Sequence, residues 1–352
     1  MKNRDASSNQ GLILIYANSS TSIGNGHVLR QLALAQQFKS QNYQVDFIYH
    51  QIAENIKQKL MHDHYQCQQL DQHSINHYSQ LANASLLVID DYHLSVNEKN
   101  ELAASPIPVV VFDDSTDNEF IVADIIVNAA DHLTQESYRL RSNNSQLLLG
   151  TKYRLIRAEF AEQRKNLTSF SSRSRLLVTM GGSDVAGLTY PISKSLLAYD
   201  ANLPLDIIIG NILASDEAAL MALTEQHKNC HLYKNVDNIA PLMAQAGMAI
   251  TAAGGTLYEL ATLGTPGIGL CVSENQLPAM NCATVAMGFL SFDMSNNDIE
   301  QCLVSMLQAS IDLWLAPKTR QQMSLKLLAH YDGQGARRIT SAINQLSIFN
   351  EK

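Results

Sequence analysis

"LILIYANSSTSIGNGHVLRQLALA", Leu12 to Ala35, sets an apolar run against a helix-period segment, with two closely spaced glycines between them. Leu12 to Tyr16 is continuously apolar rather than alternating, which is the pattern of a strand buried on both faces. From His27 the apolar positions recur at helical spacing through "HVLRQLALAQQFKS". Strand, glycine turn and helix in this order predict the first unit of a parallel sheet covered by helices. In such sheets ligands collect beyond the carboxyl ends of the strands, and that is where Gly24, Gly26 and His27 fall.

The alternation continues along the chain. "QVDFIYH", "LLVID", "PVVVFDD" and "DIIVN" read as further strands of the first half, with helix-period segments between several of them. Near "EFAEQRKNLTSFSSRSR" the pattern gives way to a polar, Ser-rich stretch, which places a domain boundary at about Gln163 to Ser174. Alternation then restarts with "RLLVTM", "LDIIIG", "CHLYKN", "MAITAA" and "PGIGLCV". The expectation is an α/β chain of two Rossmann-like domains, residues 1–165 and 172–352, whose parallel sheets face across a cleft. The last helix is expected to pack back on the first domain.

Bulk properties agree with that reading. At 352 residues the chain is long for one core and comfortable as two. A net charge of −8 argues against a non-specific nucleic-acid binder, but not against a small phosphate-bearing ligand. The five cysteines are scattered without a C-x-x-C pair, so neither a disulfide framework nor a zinc knuckle is indicated. The N-terminal apolar run is short and lacks a cleavage pattern, and no stretch approaches the roughly 20 apolar residues of a membrane span. A soluble, cytoplasmic protein is expected, without cofactor, membrane insertion or an evident obligate protein partner.

Three glycine turns carry the candidate chemistry. At the first, Gly24, Gly26 and Leu29 supply two of the three glycines of a dinucleotide fingerprint, and no acid ends the second strand, so a nicotinamide or flavin site is not indicated. His27 stands instead at a helix N-terminus, where the macrodipole disfavours imidazolium and leaves a base available. Arg30, one turn on, is either a solvated helix residue or a phosphate partner. At the second turn, "TMGGSDVAGLT", a P-loop would need lysine where Leu188 stands, so a triphosphate clamp is excluded. What remains is a strand, the Gly181-Gly182-Ser183 turn and a helix whose amides can receive a diphosphate. The third is "AITAAGGTLYELATLGTPGIGLCVSENQ". Here Thr256 and Glu259 fit a T-x-x-E capping box; alternatively Glu259 accepts hydrogen bonds from two ribose hydroxyls. Pro266 marks the stop of that helix, and Glu274, Asn275 and Gln276 follow the next strand. Asp90-Asp91-Tyr92 and Asp113-Asp114 are well placed but chemically ambiguous. His62, His64 and Cys67 read as surface residues of a helix, and no metal site is expected.

Taken together, "IGNGHVLRQLALA", "VIDDYHL", "LLGTKYRLIRAEF", "VTMGGSD", "GGTLYELATLGTP", "ENQ" and "DGQGARRI" resemble, in order, the GT-B nucleotide-sugar enzymes. Nearest in pattern are the UDP-2,4-diacetamido-2,4,6-trideoxy-β-L-altropyranose hydrolases, UDP-sugar hydrolases of pseudaminic acid biosynthesis. The resemblance covers nearly the whole chain. It implies that His27 activates water, that Gly182, Ser183, Gly255, Thr256, Glu259 and Arg157 bind the nucleotide, and that Gly26, Arg30, Tyr92, Asn275 and Gln276 face the substrate. The chain departs from the pattern at Tyr16, Asn18, Gln31, Val185 and Gly187, so the nucleotide half is the better matched. The implied reaction is metal-independent hydrolysis of a UDP-linked sugar, with inversion. Transfer of the sugar to an acceptor on the same scaffold, or binding without catalysis, are the alternatives.

Overall fold

The computed structural model describes residues 10–346 except 20–25, 71–80, 92–93, 96, 99–100, 102–106, 115–120, 140–143, 274–275 and 296–298. Contacts divide the chain into two compact units, Met1–Ala158 with Gly333–Lys352, and Glu159–Asp332.

The first unit is built on a seven-stranded sheet in the order β3-β2-β1-β4-β5-β6-β7. Its strands are β1 (Leu12–Ala17), β2 (Gln44–Tyr49), β3 (Gln66–Gln69), β4 (Leu86–Asp90), β5 (Val109–Phe112), β6 (Ile125–Asn128) and β7 (Gln146–Leu149). Every neighbouring pair is parallel. The continuous apolar run of β1 has a direct cause in this arrangement. Ile13 and Ile15 enter one core with Val45, Phe47 and Val88, while Leu14 and Tyr16 enter a second core on the opposite face. Helix α1 (Gly26–Lys39) covers the first of these faces with Val28, Leu32 and Ala35, spaced as one helical stripe. Each fully buried side chain of this size contributes roughly 1.5–3 kcal/mol relative to exposure. Helix α2 (Glu54–His62) follows β2 and buries Ile56 and Leu60.

The second unit repeats the plan with six parallel strands in the order β10-β9-β8-β11-β12-β13. These are β8 (Arg175–Thr179), β9 (Leu205–Ile209), β10 (Cys230–Lys234), β11 (Ala246–Ala252), β12 (Gly267–Cys271) and β13 (Phe289–Asp293). The chain enters this unit on α3 (Ala158–Lys165), where Phe160 is buried and Arg164 donates to the carbonyls of Thr262 and Leu328. Helices α4 (Thr189–Tyr199), α5 (Ala214–Gln226), α6 (Ala240–Gln245), α7 (Gly255–Thr262), α8 (Ile299–Trp314) and α9 (Pro317–His330) accompany the sheet. After α7 the chain takes a left-handed residue at Gly264 (φ 64°), two residues before the helix-stopping Pro266. The final helix, α10 (Gly335–Ile343), packs Ile339 and Ile343 into the core beside α1.

Three strands lie outside the sequence reading: β3, β7 and β13, each at the edge of its sheet. Cys67 belongs to β3 rather than to a helix, and His62 is the last residue of α2. Among the described residues no helix is long and apolar enough to cross a membrane.

Candidate functional site

In each sheet the strand order reverses at one place, between β1 and β4 in the first and between β8 and β11 in the second. Open α/β sheets bind ligands outside the carboxyl ends of their strands at such a switch point. His27 in the first unit and the glycine turns after β8 and β11 in the second follow the strands at these points.

In the first unit, Ala17 pairs in register with Asp90, so β1 and β4 end side by side. Helix α1 rises from the loop after β1, and its second residue, His27, is 6% exposed. The His27 Nδ1 lies 2.6 Å from Asp90 Oδ1. Asp90 is wholly buried and takes three further hydrogen bonds, from Arg30 Nη2 to Oδ1, and from Arg30 Nε and Gln31 Nε2 to Oδ2. Burial alone would push the Asp90 carboxyl up; the Arg30 guanidinium, followed by His27, outweighs it and holds the group well below the usual carboxylate range. An ionised carboxylate only accepts, so the proton between the two residues sits on His27 Nδ1. That fixes the tautomer in which Nε2 carries the lone pair.

Arg30 is bound on both sides. Besides its fork on Asp90, its Nη1 stands 2.5 Å from Asp114 Oδ2, and its guanidinium lies over the Phe112 ring. In this arrangement its charge is directed at two carboxylates of its own chain. His27, Asp90 and Asp114 each offer one atom within 4.8 Å of the others, a spacing that can hold a metal ion. The Arg30 cation already pairs with both carboxylates, so a metal there would compete with it.

The loop after β1 is tied down separately. The Asn18 amide donates to Asp91 Oδ2 at 2.7 Å and to the Tyr16 hydroxyl at 2.8 Å, and its carbonyl accepts from the amides of His50 and Gln51. Tyr16 and Asn18, two of the departures from the resembled pattern, are thereby partners of each other. Gly26 opens α1 and is exposed. Tyr92 lies outside the described residues.

In the second unit, Thr179 pairs in register with Thr251, which brings the turns after β8 and β11 together. Gly181 adopts φ 80°, and a Cβ there would stand 3.0 Å from Thr256 Oγ1. Glycine thus serves both the left-handed turn and the close approach of the two loops. Asp184 closes the first of these turns by accepting from the amides of Leu188 and Thr189. Two amides at the start of α4, expected from the sequence to be available to a diphosphate, are therefore engaged by the chain itself. The N-terminus of α7 is different. Its N-cap is Gly254, no side chain caps it, and Cβ atoms built at Gly182, Gly254 and Gly255 would meet nothing within 4 Å. The capping-box alternative for Thr256 and Glu259 is overturned, because the helix begins ahead of Thr256 and no such bond forms. Glu259 stands half-buried on α7, just under one turn beyond Thr256.

Gly182 accepts from the Asn211 amide, and Ser183 bridges to Asn211, so both are held against the end of β9. The Gln276 side-chain carbonyl accepts from the Val272 amide at 3.0 Å, closing its own loop. Asn275 lies outside the described residues. Arg157 directly precedes α3 and belongs to the first unit, whereas the glycine turns belong to the second. Sequence reasoning did not assign roles to Asp90, Asp114 or Gln31. The available signal for Asp90 was its position at the end of a strand adjoining β1, which hydropathy alone does not reveal.

No protein-family model matches the chain. Among curated proteins, it is 26% identical over 272 residues to an uncharacterized protein of Methanocaldococcus jannaschii, a match covering 75% of this chain and 56% of that protein. The chain thus spans little more than half the length of that relative. It is 24% identical over 269 residues to the UDP-2,4-diacetamido-2,4,6-trideoxy-β-L-altropyranose hydrolase of Campylobacter jejuni, covering 75% of this chain and 93% of that one. The spore coat polysaccharide biosynthesis protein SpsG of Bacillus subtilis is 26% identical over 275 residues, with 74% and 78% covered. Among solved structures, the chain is similar to Acinetobacter baumannii MurG, with a TM-score of 0.65, 14% identity and 95% and 99% of the two chains covered. A UDP-glucosyltransferase of Polygonum tinctorium gives a TM-score of 0.64 at 11% identity, covering 99% and 100%. The fold is GT-B.

Proposed function

We propose that this protein hydrolyses a UDP-linked 2,4-diacetamido-2,4,6-trideoxy sugar at its anomeric carbon, with inversion, releasing UDP and the free sugar. The observation that carries the reading is the buried Asp90 carboxylate on His27 Nδ1, which leaves Nε2 as the basic nitrogen. Similarity to the Campylobacter jejuni hydrolase supports the choice of substrate. In this reading His27 Nε2 takes a proton from water as the water oxygen bonds to the anomeric carbon. The bond from that carbon to the phosphate oxygen breaks, and its electron pair leaves with UDP. A positioned base contributes about 10²–10⁴-fold to such a step. Diphosphate is a good leaving group, so the remaining work is placement and charge stabilisation.

The uncapped α7 N-terminus at Gly255 and Thr256 receives the diphosphate, with Gly182 and Ser183 beside it, and Glu259 accepts from the ribose hydroxyls. Arg157 adds a cation to the nucleotide. Gly26, Arg30, Tyr92, Asn275 and Gln276 are assigned to the sugar on the resemblance, with Arg30 acting while paired to Asp90 and Asp114. No metal enters this scheme.

A glycosyltransferase is the second reading, favoured by the likeness to the UDP-glucosyltransferase of Polygonum tinctorium; His27 would then deprotonate an acceptor hydroxyl. The two separate when pure protein is incubated with UDP-2,4-diacetamido-2,4,6-trideoxy-β-L-altropyranose and no acceptor, and UDP release is followed by NMR. Sustained release, absent in His27→Ala while UDP affinity is unchanged, is the expected result. Release only after an acceptor is added supports transfer, and binding without turnover supports a non-catalytic binder.

A further inference from the structure

Gln31 is a wholly buried polar residue on a helix face otherwise filled by Val28, Leu32 and Ala35. Its Nε2 donates to Asp90 Oδ2 at 2.7 Å. Its Oε1 is also buried and has no hydrogen-bond partner among the described residues. The amide cannot simply be turned over, since that would set a carbonyl oxygen against the carboxylate. A buried carbonyl without a donor costs stability, which offsets what the bond to Asp90 contributes. Among the described residues, the one hydrogen bond of its side chain is the bond to Asp90.

That bond has a geometric consequence. Arg30 grips both Asp90 oxygens with one planar fork, from Nε and Nη2. Gln31 adds a second attachment on Oδ2, and His27 is served by Oδ1. With both oxygens held, rotation of the carboxylate about its own axis would break the Gln31 bond, so Oδ1 stays aimed at Nδ1. The amide does this without adding charge, whereas a cation at position 31 would compete with His27 for the same carboxylate.

We propose that Gln31 is a positioning residue for His27, acting through Asp90. The inference rests on His27 being the base and extends that reading to a residue that touches neither water nor sugar. Gln31→Met is close in length and volume, removes the donor, and also removes the orphaned carbonyl. Its expected behaviour is a melting temperature close to that of the parent, with unchanged UDP affinity and KM. With the base misaligned, kcat falls about 10- to 100-fold. In protein labelled with ¹⁵N-histidine, the His27 ring, assigned by comparison with His27→Gln, is expected to change from the single Nδ1–H tautomer to a mixture. Gln31→Leu provides the same test if the methionine variant does not fold.

Unchanged kcat and an unchanged tautomer in a folded variant would overturn the proposal. So would a loss of kcat that merely follows a loss of melting temperature, with the tautomer intact. Failure of the parent to turn over UDP-2,4-diacetamido-2,4,6-trideoxy-β-L-altropyranose counts against the proposed function alone. The nitrogen shifts then still decide whether Gln31 governs the His27 tautomer.

Discussion

Asp90 shows why a residue can be visible in a sequence while its role is not. It ends an apolar strand, but its significance depends on β4 lying next to β1, a pairing between positions about 70 residues apart. His27 was legible from local signals, a glycine turn and a helix start; its partner was not, because strand order is a long-range property. Arg30 changes meaning for the same reason, from a candidate phosphate ligand to a cation already facing Asp90 and Asp114. A pH dependence follows at this scale. A carboxyl whose folded pKa is depressed contributes stability that is present above its unfolded value, near 3.9, and is lost as pH falls toward the folded one. The urea midpoint of the parent is therefore expected to drop between pH 5 and pH 3 partly through Asp90. Asp90→Asn should be less stable than the parent at pH 7, and the gap between them should narrow on acidification. Parallel curves for the two proteins would show that Asp90 is not the group responsible.

At the scale of elements, the central strands were readable because burial on both faces makes them continuously apolar. The strands that escaped, β3 with "QCQQ" and β13 with "FLSFD" among them, are edge strands with polar residues and partial exposure. Their hydropathy does not distinguish them from loops. The third glycine turn was legible as a strand-to-helix turn, but its T-x-x-E pattern also fitted a cap; only the position of Gly254 as N-cap removes that reading. Glu259→Ala is expected to weaken UDP binding about tenfold or more, as for loss of a charge-assisted hydrogen bond, and by more than any change in melting temperature accounts for. Calorimetric titration beside a thermal melt checks both parts. The "DGQG" stretch has a packing explanation of its own. A Cβ at Gly335 would stand 2.0 Å from the Arg154 carbonyl oxygen, so α10 can seat against that turn only with glycine there. Gly335→Ala is expected to destabilise the first unit by about 1–3 kcal/mol through overpacking, read as a lower denaturant midpoint.

For the whole molecule, two parallel α/β units and their GT-B architecture were legible because the β–α alternation restarts after the polar stretch at Gln163 to Ser174. Contacts nevertheless divide the chain at Ala158 and return residues 333–352 to the first unit. That return is carried by a few side chains of α10, such as Ile339 and Ile343, which join the core beside α1. The proposed reaction turns on attack by a His27-activated water on the anomeric carbon of a UDP-sugar. The most direct test is a ³¹P NMR time course of UDP-2,4-diacetamido-2,4,6-trideoxy-β-L-altropyranose with the enzyme in H₂¹⁸O and no acceptor present. Steady release of UDP without an ¹⁸O-shifted β-phosphorus signal is expected, and no release by His27→Gln. Labelled UDP, which places the attack at phosphorus, or full release by His27→Gln, would contradict it.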